Sequence, residues 1–404
     1  MNNMYRLPFT LLVLLVTFFG SCQSVEHASL TRPNSSIVTG AQRTSSYLPN
    51  LQGKRVGIIA NQTSTIESTH LVDSLLALGA DIKCVFAPEH GFRGQAADGA
   101  HISNSIDPIT QLPIVSLYGK NKKPTPEQLK DIDVLIFDIQ DVGARFFTFI
   151  STMHLAMEAA AENNLSFIVL DRPNPNGFYV DGPVLDQKFS SFVGMHSIPI
   201  VHGMTVGELA IMINNEGWLS AGIKCDLSVV ACTNYHHLDL YDLPIAPSPN
   251  LPNTTAIYLY PSLCLFEATS VSVGRGTEYP FQLMGHPKHA GKIDFTPKSI
   301  PGVSEYPKHK NVSCSGHLLQ DFGDFYFTST GQLYLEWLIS MNEELGSEEL
   351  FDRPEFFDKL AGTEQLRKQI IAGKTSIEIQ DSWQADLEIF KKLRRKYLLY
   401  PDFE

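Results

Sequence analysis

Hydrophobic and polar positions alternate in blocks along most of the chain. Arg55–Ala60 (RVGIIA), Ile82–Ala87, Pro113–Leu117, Val134–Ile139 (VLIFDI), Phe167–Leu170 and Leu227–Ala231 are short, nearly continuous apolar runs rich in Val, Ile, Leu and Phe. Runs of that length read as strands buried on both faces. Between them lie helical patterns. His70–Leu78 is amphipathic and stopped by Gly79, Thr125-Pro126 opens a short helix, and Phe149–Glu162 is rich in Ala and Met. Thr205-Val-Gly-Glu208 is a capping box that starts a helix running to about Asn215. Strands alternating with helices predict a doubly wound α/β domain with a parallel sheet covered on both sides.

The texture changes after Tyr241. Residues 244–252 (PIAPSPNLP) hold four prolines and read as a rigid connector. From 253 to 330 the chain is rich in Tyr, Phe, Ser and Gly, with strand-like runs and no helical period. Gly331–Leu345 and the final stretch look helical, interrupted by Pro354 and Gly373. This part is expected to form a smaller α+β domain. The expected division is 49–245 for the first domain and 246–404 for the second.

The N-terminus sets the compartment. Met1–Arg6 carries one positive charge, and Leu7–Phe19 is apolar apart from two threonines. That run is too short for the ~20 residues of a membrane span and reads as a secretory signal. Gly20-Ser21-Cys22 follows, as in a lipoprotein cleavage site where the cysteine becomes the lipidated first residue. Residues 1–22 are therefore expected to be a signal peptide and 23–48 a polar tether. An exported protein, periplasmic or in the cell envelope and held to a membrane through a lipid on Cys22, is the expectation. Cys84, Cys225, Cys232, Cys264 and Cys314 remain; their odd number and lack of CxxC spacing suggest buried free thiols.

A net charge of −12 argues against nucleic acid as partner. The chain has no GxGxxG, GxSxG or HExxH, and Lys368 stands where a P-loop ending at Gly373-Lys374-Thr375 would need its first glycine. His236-His237 and His286-Pro-Lys-His289 have loose spacing and read as loop histidines, so no metal and no organic cofactor are expected.

Ligands of an open parallel sheet bind beyond the carboxyl ends of its strands. That rule collects Asn61, then Glu89, His90 and Arg93 in PEHGFRG, then Asp138, Asp141 and Arg145, and finally Asp171, Arg172 and Asn174. Each has a structural alternative: Glu89 could cap its turn, Asp138 could pair with Arg145, and Asp171 could cap the next helix. Glu89 is the best functional candidate, because partial burial in a Gly-rich aromatic loop would raise its pKa toward general-acid work. From the second domain, the segment from Glu267 through Arg275 to Glu278 suits a loop closing over a polar ligand.

Together ANQTS (60–64), APEHGFRG (87–94), DIQDVGARFFTF (138–149), LDRPNPNG (170–177) and SVGRGTEYPFQ (272–282) resemble a known family. It is glycoside hydrolase family 171, exo-β-N-acetylmuramidases formerly grouped as a domain of unknown function. The resemblance spans about 50–404. It implies a Rossmann-like domain with a smaller C-terminal domain, an active site between them, and a catalytic acid at Glu89. Phe146-Phe147 stand where the pattern would carry a tyrosine. The implied activity is release of N-acetylmuramic acid from the non-reducing end of peptidoglycan fragments. Asp138 or Glu278 could serve as a second catalytic carboxylate, and Arg93, Arg145, Arg172 or Arg275 could meet the lactyl carboxylate. The rival expectations are an exo-hexosaminidase of other specificity and a non-catalytic lipoprotein that binds cell-wall fragments.

Overall fold

The computed structural model describes Leu30, Pro33 and residues 36–89, 91–93, 105–119 and 121–404. The expected signal peptide with Cys22, and His90, lie outside the described residues. Among the described residues, no helix is long and apolar enough to cross a membrane.

The strands in chain order are β1 (Arg55–Ala60), β2 (Thr65–Ile66), β3 (Thr69–His70), β4 (Asp81–Ala87), β5 (Ser105–Ile106) and β6 (Pro113–Ser116). They continue with β7 (Val134–Asp138), β8 (Ser166–Leu170), β9 (Asp226–Val230), β10 (Leu283–His286), β11 (Ile293–Phe295) and β12 (Cys314–Leu318). The main sheet runs β5-β6-β4-β1-β7-β8-β9. Only the short edge strand β5 is antiparallel to its neighbour. The parallel strands, counted along the chain, stand in the order 3-2-1-4-5-6, the doubly wound Rossmann arrangement.

The continuous apolar runs follow from burial on both faces. Successive side chains of a strand point to opposite sides. Ile58, Val85 and Ile136 thus pack with Tyr47, Leu51, Leu71 and Leu75 of helices Thr44–Leu51 and Leu71–Ala77. Ile59, Phe86, Leu135 and Phe137 face the other way, with Met153 of helix Phe149–Glu162 and Leu209 of helix Val206–Asn215. Thr205 and Glu208 form the expected capping box, and Thr125 and Gln128 form another. The five cysteines from Cys84 onward are buried and in no disulfide.

The smaller part has an antiparallel sheet, β10-β12-β11, with surrounding helices. Here the structure corrects the sequence reading of 253–330 as lacking helix: Thr254–Leu263 and Gln320–Thr330 are both helical. In the first, eight of ten residues are buried, so no polar stripe betrays the helical period. Gly331 does not begin the next helix. It ends the previous one in the left-handed conformation, φ 58°, and the next helix is Glu336–Leu345.

The last residues return to the first domain. Arg394 donates to Gly203 O through Nε at 3.0 Å and Nη2 at 2.7 Å, and Leu399 N donates to Glu208 Oε1 at 2.7 Å.

Candidate active site

The strand order reverses between β1 and β7, where Ala60 lies beside Asp138. A crevice is expected there, but side chains of the protein itself stitch it together. Asn61 Oδ1 accepts from Thr63 N at 2.9 Å and Thr63 Oγ1 at 2.6 Å; Gln140 N donates to Thr63 Oγ1 at 3.0 Å, and Ser64 Oγ donates to Asp138 O. Asp138 is fully buried and pairs with Arg172, not Arg145: Arg172 Nε lies 2.6 Å from Oδ1 and Nη2 2.9 Å from Oδ2.

Other candidates from the rim are similarly engaged. Asp171 accepts from Arg172 N and Gly207 N at 3.0 and 2.8 Å, and from Thr205 Oγ1 and Tyr400 OH at 2.7 and 2.5 Å. Burial raises its pKa to about 6 against those donors. Arg145 is fully buried and donates to four carbonyls, those of Pro183, Ile198, Leu360 and Ala361, at 2.7–2.9 Å. Arg93 bridges Asp73 and Asp107, with Nη2 at 3.0 and 2.8 Å from them. Asn174 Nδ2 donates to Met204 O at 2.8 Å, and its Oδ1 accepts from Asn176 N at 2.9 Å. Asn174 also backs onto Gly143, φ 76°, where any Cβ would lie 2.2 Å from its Oδ1.

Asp141 differs from these. Its Oδ2 accepts from Gly143 N at 2.7 Å, while its buried Oδ1 has no hydrogen-bond partner among the described residues. Burial lifts its pKa to about 7, and the N–H groups of Gly143 and Val142 only partly oppose the rise.

The open space lies among loops that leave the carboxyl edge of the sheet. Half-buried Glu89, two residues past β4, shares a cavity of about 80 Å³ with Phe147 from the loop after β7 and Phe149 at the start of the helix that follows. Ser248 and Asn250 from the proline-rich connector and Tyr260, Arg275 and Phe281 from the second domain complete the wall. Glu89 and Arg275, more than 180 positions apart in the chain, are thus brought together. Arg275 Nε pairs with Glu267 at 3.1 Å, and its guanidinium sits 5.0 Å from the Phe281 ring centre. Arg275 and Glu267 also line a neighbouring cavity of about 420 Å³ with Lys308 and Arg353. Lys308 is anchored on the carbonyls of Phe266, Thr269 and Val271, and burial lowers its pKa to about 8. Glu278 is exposed and lines neither cavity.

Sequence reasoning missed Ser248, Asn250 and Tyr260. Two of them lie in the segment taken for a plain connector. A signal was present: Ser-Pro-Asn between apolar residues is turn chemistry, and turns carry binding groups.

This combination of a doubly wound sheet, a carboxylate on a carboxyl-edge loop and a second domain closing the cavity defines a two-domain α/β cleft protein. Residues 56–255 match the family described as exo-beta-N-acetylmuramidase NamZ, N-terminal, and residues 258–400 its C-terminal counterpart. The chain belongs to the exo-β-N-acetylmuramidase NamZ family. It is 39% identical over 410 residues to the peptidoglycan beta-N-acetylmuramidase NamZ of Bacillus subtilis (strain 168), covering 96% of this chain and 97% of that one. Two crystal structures of DUF1343 family proteins from Bacteroides fragilis NCTC 9343 share the fold. One has a TM-score of 0.84 and 47% identity, covering 91% of this chain and 100% of the other. The second has a TM-score of 0.77 and 32% identity, covering 90% and 99%.

Proposed function

We propose that this protein is an exo-acting glycoside hydrolase that releases N-acetylmuramic acid from the non-reducing end of peptidoglycan fragments, with Glu89 as its general acid. The observation that carries this reading is the cavity in which Glu89 meets Arg275 and the turn at 248–251. Glu89 gives its proton to the glycosidic oxygen as the bond from C1 breaks; water then adds its hydroxyl to C1, and the proton it releases restores the Glu89 carboxyl. Arg275 supplies a cation for the lactyl carboxylate; a guanidinium suits that role because it meets a carboxylate with two parallel donors. Asp138 and Arg172 tie the ends of β7 and β8 together. No metal or organic cofactor enters this scheme.

The catalytic unit in this reading is residues 49–245 with 246–404. The tether expected over 23–48 ends before Val38, because Val38 pairs with Thr233 and Ala41 and Tyr47 are buried in the first domain. Cys22 carries a lipid that fixes the exported protein to a membrane of the cell envelope. Supporting this is the signal-like order of charge, apolar run and Gly-Ser-Cys at the N-terminus. Exchange of Cys22 for Ser should release the protein from the membrane fraction.

The deciding assay uses residues 24–404 with a chromogenic β-N-acetylmuramide and the matching glucosaminide, beside Glu89→Gln. Release from the muramide alone, lost in the variant, supports specificity and acid together. Fragment binding without release from either substrate would replace the enzyme by a cell-wall-binding lipoprotein.

A further inference from the structure

The connector enters the second domain through a tight turn. Leu251 N donates to Ser248 O at 3.0 Å, closing residues 248–251, and Pro249 presets the backbone at the second position. The turn places Asn250 in the wall of the Glu89 cavity, where it is 1% exposed. Its Nδ2 donates to Val303 O at 3.1 Å. That bond fixes which way the amide faces, because a carbonyl can only accept. The other end, Oδ1, is buried and without a hydrogen-bond partner among the described residues. A buried acceptor left empty is costly, and a water, an ion or a ligand group can supply the missing donor; in the wall of a cavity a ligand can reach it.

The space around it limits that ligand. At about 80 Å³ the cavity is small and admits a group the size of an acetamide. With Glu89 in the same cavity and directed at the glycosidic oxygen, the part of the sugar beside Asn250 is the part next to C1. The donor closest to C1 on an N-acetylated hexosamine is the N–H on C2. Leu251, Phe147 and Tyr260 offer apolar wall to the acetyl methyl.

Resting on the glycosidase reading above, we infer that Asn250 is the residue that recognises the 2-acetamido group, its Oδ1 accepting the amide N–H of the sugar bound against Glu89. The cavity is the acetamido pocket, and the proline-rich connector is a specificity element as well as a link between domains.

The test compares the chromogenic β-N-acetylmuramide with its 2-O-acetyl analogue, an ester of almost the same shape in which oxygen replaces N–H. Wild type should prefer the amide in kcat/KM by roughly tenfold or more, the worth of one buried hydrogen bond. Asn250→Ala should cleave amide and ester within about threefold of each other, mainly by losing rate on the amide. A structural role alone would lower both rates together, and an unchanged amide-to-ester ratio in the variant overturns the inference. Should the variant not fold, wild type decides by itself: equal rates on amide and ester overturn it. Absence of hydrolysis of either substrate by wild type overturns the glycosidase reading, and the inference with it.

Discussion

Arg172 grips both oxygens of Asp138, at 2.6 and 2.9 Å, and neither side chain is more than 4% exposed. Arg172 Nη2 also donates to Thr65 O at 3.1 Å, so one guanidinium ties the ends of β7 and β8 to the turn after β1. Removing one partner of such a pair leaves an uncompensated buried charge, which costs roughly 3–5 kcal/mol. Arg172→Met should therefore lower the unfolding free energy by about that amount in denaturant titration. Adding Asp138→Asn to it should recover much of the loss. A single variant within about 1 kcal/mol of wild type would show that the pair carries little of the rim's stability.

Arg145 is bound to four carbonyls, two from the first domain's loops and two from helix Pro354–Ala361 of the second. Lysine has a single nitrogen and cannot reach all four. Arg145→Lys should leave carbonyls unsatisfied in the interior and destabilise the protein by about 3 kcal/mol or more. Thermal unfolding would show a lower Tm, with activity at low temperature largely retained because the side chain lies in neither cavity.

Asp141 should leave a pH signature. Its pKa is raised from 3.8 to about 7 in the fold, chiefly by burial. The folded state therefore keeps a proton that the unfolded chain releases near pH 4. Its contribution is fully present below that pH and is lost as pH rises through about 7. Asp141→Asn should remove this slope, so stability measured by denaturant at pH 5 and pH 7.5 should differ less than in wild type. Between pH 5 and the folded pKa near 7 the loss is about 3 kcal/mol at 1.36 kcal/mol per unit. An identical slope in both proteins would place the titration elsewhere, Asp171 being the next candidate.

Arg275 should act on substrate choice. Losing a charged hydrogen bond to the lactyl group would cost about 1.5–3 kcal/mol. Arg275→Met should then reduce kcat/KM on the muramide by roughly ten- to a hundredfold, while any slow turnover of the glucosaminide changes little. Equal losses on both substrates would assign Arg275 to holding Glu267 and its loop.

The doubly wound sheet was legible because the need to bury both faces writes an unbroken apolar run into each strand, and capping residues mark the helix starts. Thr205 and Glu208 are a case where three positions suffice. The position of Glu89 at the carboxyl edge of the sheet was legible as well, since it follows from the strand ends alone. The second domain was less so. Helix Thr254–Leu263 is buried nearly all round and shows no periodic polar face.

By itself, the sequence determined the elements of the first domain, their parallel winding and the short set of charged residues along one rim. Only the tertiary structure decided what each member of that set does. Asp138 could have paired with Arg145 or Arg172, since both lie close enough in the chain and carry the same charge. The packing sends Arg172 to Asp138 and commits Arg145 to four carbonyls far along the chain. Likewise, nothing local distinguishes Asn250 from any other turn asparagine. Its empty acceptor exists because Val303, brought there by the second domain, takes up the amide's donor end. Local composition fixes what a residue can do; long-range contacts consume most of those capacities, and the one left unused at Asn250 falls in the wall of the Glu89 cavity.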